Sequence, residues 1–352
     1  MNISKCRKLW LLYLVVLFAR DIYATCSAKV DIYRTERITT QTICAKFGDE
    51  VSRVLKLVGA EQQKQLNGLM HKITNEVQKS GDFLYVNVSY VFYDDNTPYI
   101  TIDVVEQQDK RRLEYFLKQP TKSIVVPDNL IEKWLEYEKT GMNITLQEKK
   151  FLRSKNCPAH HCIFGFDHPK LQQYKQEFAK LVPKNKSKLI ATLKHDNDAK
   201  KRGAAAYLLA HIKNNKELVK ILVPSMRDCS SHVRNNVMRV LGATVANTDV
   251  YSLHLVKEAI TALDFPTVTD RNKALYILAG LARHPKYVPY IIRGAKIKLI
   301  ENLKMLQPNL HENSYRVLQV LSGKKYGSRE YLVWEAWCDG FISAFANNFV
   351  LS

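Results

Sequence analysis

Glycine is scarce in this sequence, with 13 in 352 residues. None is arranged as a phosphate-cradling loop or a dinucleotide-binding fingerprint, and there is no nucleophile elbow or zinc-protease histidine pair. The familiar enzyme signatures are therefore missing, and no catalytic residue or cofactor is expected. Cysteine is also sparse. Seven residues (Cys6, Cys26, Cys44, Cys157, Cys162, Cys229 and Cys338) are too few to replace a hydrophobic core in a protein this long. Acids are outnumbered, 34 against 53 Lys and Arg, which gives a net charge of +19. No apolar run approaches the roughly 18 residues of a membrane span, so a polytopic membrane protein is excluded. Apolar residues make up 46% and charged residues 25%, the composition of a globular protein and not of a disordered or collagen-like one. The basic balance favours acidic partners such as nucleic acid, an anionic membrane face or an acidic polymer.

The N-terminus has a three-part pattern. Lys5, Arg7 and Lys8 precede an apolar run of 11 residues, Leu9 to Ala19, and small residues follow at Ala24, Ser27 and Ala28. This is the layout of a secretory signal peptide, here residues 1–28 with cleavage after Ala24 or Ala28. An uncleaved anchor and a lipoprotein at Cys26 are the alternatives; Thr25 fits a lipobox poorly. Removing residues 1–28 takes away four basic residues and one acid, which leaves +16, so the basic excess belongs to the folded part. Export makes disulfides available, and Cys157 with Cys162 is the pair nearest in sequence.

Residues 29–39 alternate as a strand, 42–58 and about 60–79 carry helical stripes, and 83–93 and 98–106 form a β-hairpin about Asp94-Asp95-Asn96. This β-α-α-β-β order over residues 29–108, with the segment GDFLYVNVSYVFYDDNTPYITIDVVE, resembles a polypeptide-transport-associated (POTRA) domain. The resemblance implies a small sheet whose free edge takes a partner strand. A plain α+β packing domain is the other reading.

Residues 109–168 read as a charged, partly helical connector, with short helices at Ile131–Tyr137 and Leu146–Leu152. It ends in CPAHHCIFGFDHPKL. Cys157 and Cys162 lie five apart, beside His160, His161 and His168, a spacing that does not match recurring zinc patterns. A disulfide, buried thiols and a metal site remain the three readings, and no metal is assigned. Asp167-His168 before Pro169 reads as a helix N-cap.

Residues 169–352 are repetitive. The stretches from Leu189, Leu222 and Ala259 each hold an apolar helix, an Asp-containing turn, a basic residue and a second apolar helix. Arg202, Arg234 and Arg271 recur 32 and 37 residues apart, and a weaker fourth copy spans Leu299–Gly323. The first copy begins with a helix at Leu171–Leu181, before Pro183. Asp196-Asn-Asp198 before Arg202-Gly-Ala-Ala-Ala, Asp228 with Val233-Arg234, and Asp270-Arg271 resemble HEAT repeats. The resemblance implies an α-solenoid in which turn carboxylates meet arginines at helix starts. His195 to Asp198 lies at such a turn, where Asp has a structural use. The tail, with Ser322-Gly323, Tyr326-Gly327 and Trp334-x-x-Trp337, is similar to the ending of bacterial HEAT-repeat proteins. It reads as a cap in which Trp334 and Trp337 seal the last repeat.

The fold class expected is α+β: a small β-α-α-β-β domain followed by an all-α HEAT-like solenoid, predominantly α overall. The expected function is a non-enzymatic protein-binding scaffold, exported to the periplasm or envelope, with no membrane span after signal cleavage. Its partner is an unidentified protein, for example an envelope protein, with anionic lipid or polymer as a further contact. Nucleic acid is disfavoured, because lysines such as Lys184, Lys186, Lys188, Lys200 and Lys201 show no interleaved aromatics. The alternatives are an intracellular basic HEAT-like protein acting on nucleic acid and a secreted effector-type protein. In a eukaryotic secretory route Asn87-Val-Ser and Asn143-Ile-Thr are glycosylation acceptors.

Overall fold

The computed structural model describes residues 27–57, 59–93, 97–148, 157–250 and 252–350, the side chains of 59, 60 and 345–350 excepted. The candidate signal segment, apart from Ser27 and Ala28, lies outside the described residues, as do Cys6, Cys26 and the turn at 94–96. The described part is predominantly helical, with thirteen α-helices and one small sheet. It divides into two compact units, one ending at Lys110 and one beginning at Arg111.

The first unit runs β1 (Lys29–Tyr33), α1 (Thr40–Leu55), α2 (Gly59–Ser80), β2 (Tyr85–Phe92) and β3 (Pro98–Val105). The sheet order is β1-β3-β2. β3 pairs antiparallel with β2, Asn87 opposite Asp103, and parallel with β1, Val30 opposite Ile100. β1 is shorter than the alternation over 29–39 suggests. Arg34 takes a left-handed conformation, φ 67°, which turns the backbone out of the ladder. Thr39 caps α1 by accepting from the Thr42 N–H at 3.1 Å. Ile43, Phe47, Val51 and Val54 of α1 and Leu66, Leu69, Ile73 and Val77 of α2 bury one face of each helix with Val30, Ile100 and Ile102.

The second unit begins with a short helix, α3 (Arg111–Glu114), and an extended segment to Val126. It continues through α4 (Leu130–Glu148), α5 (Pro169–His195), α6 (Ala199–Leu209), α7 (Asn215–Leu222), α8 (Ser231–Asn247), α9 (Leu253–Ala262), α10 (Val268–Leu281), α11 (Val288–Lys304), α12 (Pro308–Ser322) and α13 (Tyr331–Val350). α6, α8, α10 and α12 pack one on the next in a row, termed the inner row, while α9, α11 and α13 form a second row. Gly203 and Gly242 permit close approach in the inner row. A Cβ on Gly203 would lie 2.6 Å from His232 Nε2, and one on Gly242 would lie 2.3 Å from the Tyr276 ring.

Two helices differ from the expectation. α4 is one helix of 19 residues where the pattern suggests a short helix at 131–137 and another at 146–152, of which 149–152 lie outside the described residues. Its buried face, Trp134, Tyr137, Gly141 and Ile144, continues across the polar stretch between them. α5 runs through Pro183 for 27 residues instead of stopping before it. The apolar face Leu171, Tyr174, Phe178, Val182 and Leu189 is buried on both sides of the proline, and that packing outweighs the one lost hydrogen bond.

Candidate functional site

The repeated arginines form a buried ladder. Arg202, 0% exposed, donates Nε and Nη2 to the two carboxylate oxygens of Asp228, each at 2.8 Å. Its Nη1 donates to the Asp196 carbonyl at 2.9 Å. Arg234 repeats the arrangement one copy on, with Nη2 2.7 Å from Asp270 Oδ2 and Nη1 2.8 Å from the Asp228 carbonyl. Arg271 donates Nη1 to the Phe265 carbonyl at 3.5 Å. Each arginine thus reaches the carbonyl six residues before it, and the first two grip the carboxylate of the following copy. Such bidentate, charge-assisted pairs fix one copy's rotation on the next.

The carboxylates are themselves held. Asp228 Oδ1 accepts from Ser230 N–H at 2.8 Å, and Asp270 Oδ2 from the Thr267 hydroxyl at 2.9 Å. Asp196 is held by backbone instead of an arginine fork. Its Oδ1 takes the Asp198 N–H and its Oδ2 the Ile124 N–H, both at 2.8 Å. The third copy places Phe265 where the first two have Asp196 and Asp228. Its carboxylate comes from inside α10.

The segment 111–126 is a strap across these turns. Arg112 Nε donates to the Asp264 carbonyl at 2.8 Å, and Leu117 N–H to the Arg227 carbonyl at 2.7 Å. Lys122 pairs with Asp196 in a parallel bridge. Phe116 lies between Phe265, centroid at 4.9 Å, and the Arg234 guanidinium, 4.1 Å from the Phe116 ring. The strap therefore visits the third, second and first turns in that order and closes over the ladder.

At the start of the array the Cys157–Cys162 loop is closed by a disulfide. His160 docks it on the end of α6, with N–H to the Ala210 carbonyl at 3.0 Å and Nε2 3.1 Å from the Ile212 carbonyl. Tyr207 stacks with Trp134, centroids at 5.2 Å, and with His161 at 5.6 Å. Burial holds His161 and His211 down at about 4, and pushes the Tyr207 hydroxyl far up. His168 caps α5, its Nδ1 3.2 Å from Lys170 N.

At the other end Trp334 is fully buried and Trp337 half-buried, with centroids 6.3 Å apart. Trp334 Nε1 donates to the Gly327 carbonyl at 3.0 Å. Gly323 ends α12 at φ 66°, the left-handed turn that favours glycine. Glu330 accepts from the Gly327 N–H. Cys338 and Cys229 are free thiols, both raised by burial.

The basic residues divide into paired and open ones. Lys186 meets Glu217 at 2.7 Å, Lys298 meets Asp264 at 2.6 Å and Lys296 meets Asp339. Arg202 belongs to the interior. On the inner row, Tyr207, Arg239 and Tyr276 each stand five residues after a ladder arginine. The sequence reading passes over Arg239, which is half-buried, although aligning the copies on their arginines puts it in that column. The rest of this face is polar: Asn235 accepts from Arg239 Nε at 3.2 Å, and Asn313 donates to Asn272 at 2.8 Å.

Among the described residues no group of three His, Cys, Asp or Glu side chains is placed to hold a metal. No helix among them is long and apolar enough to cross a membrane. No protein-family model matches the sequence, and no curated protein or solved structure is significantly similar to it.

Proposed function

We propose that the protein is an exported, non-enzymatic scaffold whose second unit is a HEAT-like array that binds a protein partner along the inner row. The observation that carries this reading is the ladder: Arg202 to Asp228 and Arg234 to Asp270 repeat one geometry in successive copies. A ladder of buried pairs, strapped by residues 111–126 and closed by Trp334, holds a long surface in one shape. Preorganised surfaces lose little entropy on binding a partner. We read the first unit as POTRA-like, with β2 at one edge of its sheet. Export is read from the basic and apolar N-terminal pattern. Ala28 is buried in the first unit's core, which favours cleavage after Ala24, because that leaves Ala28 in place.

The test has two parts. Intact mass of the envelope fraction is expected to fall by the mass of residues 1–24, with Cys157 and Cys162 unreactive to thiol label. A photoreactive residue at Asn235, on the inner row, is expected to crosslink one discrete protein, while one at Lys257 on α9 does not. A full-length, reduced protein in the cytosol would overturn export. Equal crosslinking from both positions would overturn the inner-row surface. Salt-sensitive capture of nucleic acid instead would favour the intracellular alternative, which the pairing of Lys186, Lys296 and Lys298 weakens.

A further inference from the structure

Where the inner row meets α4 and the disulfide loop, buried polar side-chain atoms gather unpaired among the described residues. Trp134 Nε1, the Tyr207 hydroxyl and His161 Nε2 are shielded from solvent and have no hydrogen-bond partner among the described residues. Trp134 is 2% and Tyr207 1% exposed. Nearly all such groups in native proteins are paired, so three in one stacked cluster need an explanation. Two cations adjoin them. Arg239 acts electrostatically on both Tyr207 and His161, and Lys273 acts on His161. Among the described residues Arg239 has one hydrogen bond, to Asn235. Neither cation has an acidic partner among the described residues. Burial, with the like charge of Arg239 added, holds Lys273 down at about 8. Glu138 lies at the margin. It acts on Tyr207, and its own carboxyl is raised by burial, with a smaller opposing contribution from the neighbouring His232 ring.

Half-buried cations without counter-ions are costly unless something supplies the charge, and perturbed groups of this kind concentrate at functional sites. The arrangement has two positive charges, two neutral donors in Trp134 and Tyr207, a neutral imidazole whose Nε2 donates in one tautomer, and one marginal acid. That complements a single negative charge with several acceptor lone pairs, which is the description of a carboxylate. An extended polyphosphate backbone would find here neither a continuous basic track nor exposed rings to stack on.

We propose that Arg239, Lys273, Tyr207, His161 and Trp134 form a binding site for the carboxylate of an acidic polypeptide segment. The source is an Asp or Glu side group or the free carboxyl end of a polypeptide. The inference rests on the protein-binding reading above and gives that partner its chemistry.

The experiment uses the full protein without its signal segment and three labelled probes: acetyl-(Gly-Glu)3-amide, acetyl-(Gly-Gln)3 with a free carboxyl end, and acetyl-(Gly-Gln)3-amide. Fluorescence anisotropy is expected to show saturable binding of a carboxylate-bearing probe and none of the third. The first two probes distinguish an acidic side group from a terminal carboxylate. Arg239→Gln with Lys273→Met is expected to weaken binding by about tenfold or more, while Lys213→Met leaves it unchanged. Because the double variant could misfold, a second readout uses the wild-type protein. The Trp134 indole N–H signal in a proton–nitrogen spectrum, assigned with Trp134→Phe, is expected to shift on titration.

Equal binding of all three probes, an unmoved indole signal, or no saturation below about 10 mM would overturn the proposal. Tighter binding of inorganic phosphate or of a decathymidylate at the same residues would also overturn it. If peptides fail to bind while crosslinking from Asn235 succeeds, this inference falls and the scaffold reading stands.

Discussion

Replacing Arg202 by methionine tests the ladder at its most buried point. Arg202 is 0% exposed and its partner Asp228 is 4% exposed. Methionine keeps much of the volume and removes both bonds to the carboxylate. Asp228 then retains the Ser230 N–H at 2.8 Å and the weak Cys229 thiol contact at 3.7 Å. The Asp196 carbonyl also loses its partner. Breaking a buried pair by deleting one member costs about 3–5 kcal/mol, because the remaining charge is uncompensated. With a urea m-value of about 2–3 kcal/mol/M, the midpoint of the helical unit should fall by about 1–2.5 M. Denaturation followed by far-ultraviolet circular dichroism measures this, and the strap residues can be followed by proteolysis in the same samples. The double variant Arg202→Met/Asp228→Leu should recover most of the loss, since it removes the stranded charge as well. A cost below about 1 kcal/mol for the single variant would be that of a solvated surface pair. It would refute the reasoning that this ladder locks successive copies together.

Three further outcomes are expected. His161 and His211 are held at about 4 in the folded protein against an ordinary 6.5. The unfolded state therefore binds more protons, and stability should be full above about 6.5 and fall as pH drops toward 4. Urea midpoints at pH 7 and pH 4.5 would check this, with His211→Phe flattening the trend. Phe116→Ala should cost about 1–3 kcal/mol by removing the ring between Arg234 and Phe265, and should expose residues 111–126 to limited proteolysis. Replacing both Cys157 and Cys162 by serine should cost about 2 kcal/mol, the loop-closure value for so short a loop. Calorimetry of this variant beside the unaltered protein, both without reductant, would measure it.

Much of the architecture follows from short-range pattern. The alternation in Tyr85–Phe92 and Pro98–Val105 marks the hairpin, and the stripes of α1 and α2 mark their buried faces. These depend on which neighbours two, three or four residues away share a side, and sequence records that directly. The recurrence of Arg202, Arg234 and Arg271 is equally visible, as is the Trp334-x-x-Trp337 spacing near the end. The extension of α5 through Pro183 is not visible, because local chemistry argues for a break there and only buried packing on both sides overrides it.

What the tertiary structure decided is how each arginine divides its donors and what lies over the ladder. Arg202 and Asp228 stand 26 residues apart, and Arg112 and the Asp264 carbonyl 152 apart. The strap carries no periodicity, and its backbone bonds leave no trace in residue type. The third copy sets Phe265 in the turn and draws its carboxylate from Asp270, a substitution that makes sense only with Phe116 packed against it. The donor cluster of Trp134, His161, Tyr207, Arg239 and Lys273 comes from helices and a loop remote in sequence. Sequence alone determined that there would be repeated helices with recurring arginines. Which groups those helices left without partners depended on long-range packing, because satisfaction of a polar group is a property of the whole neighbourhood and not of its own segment.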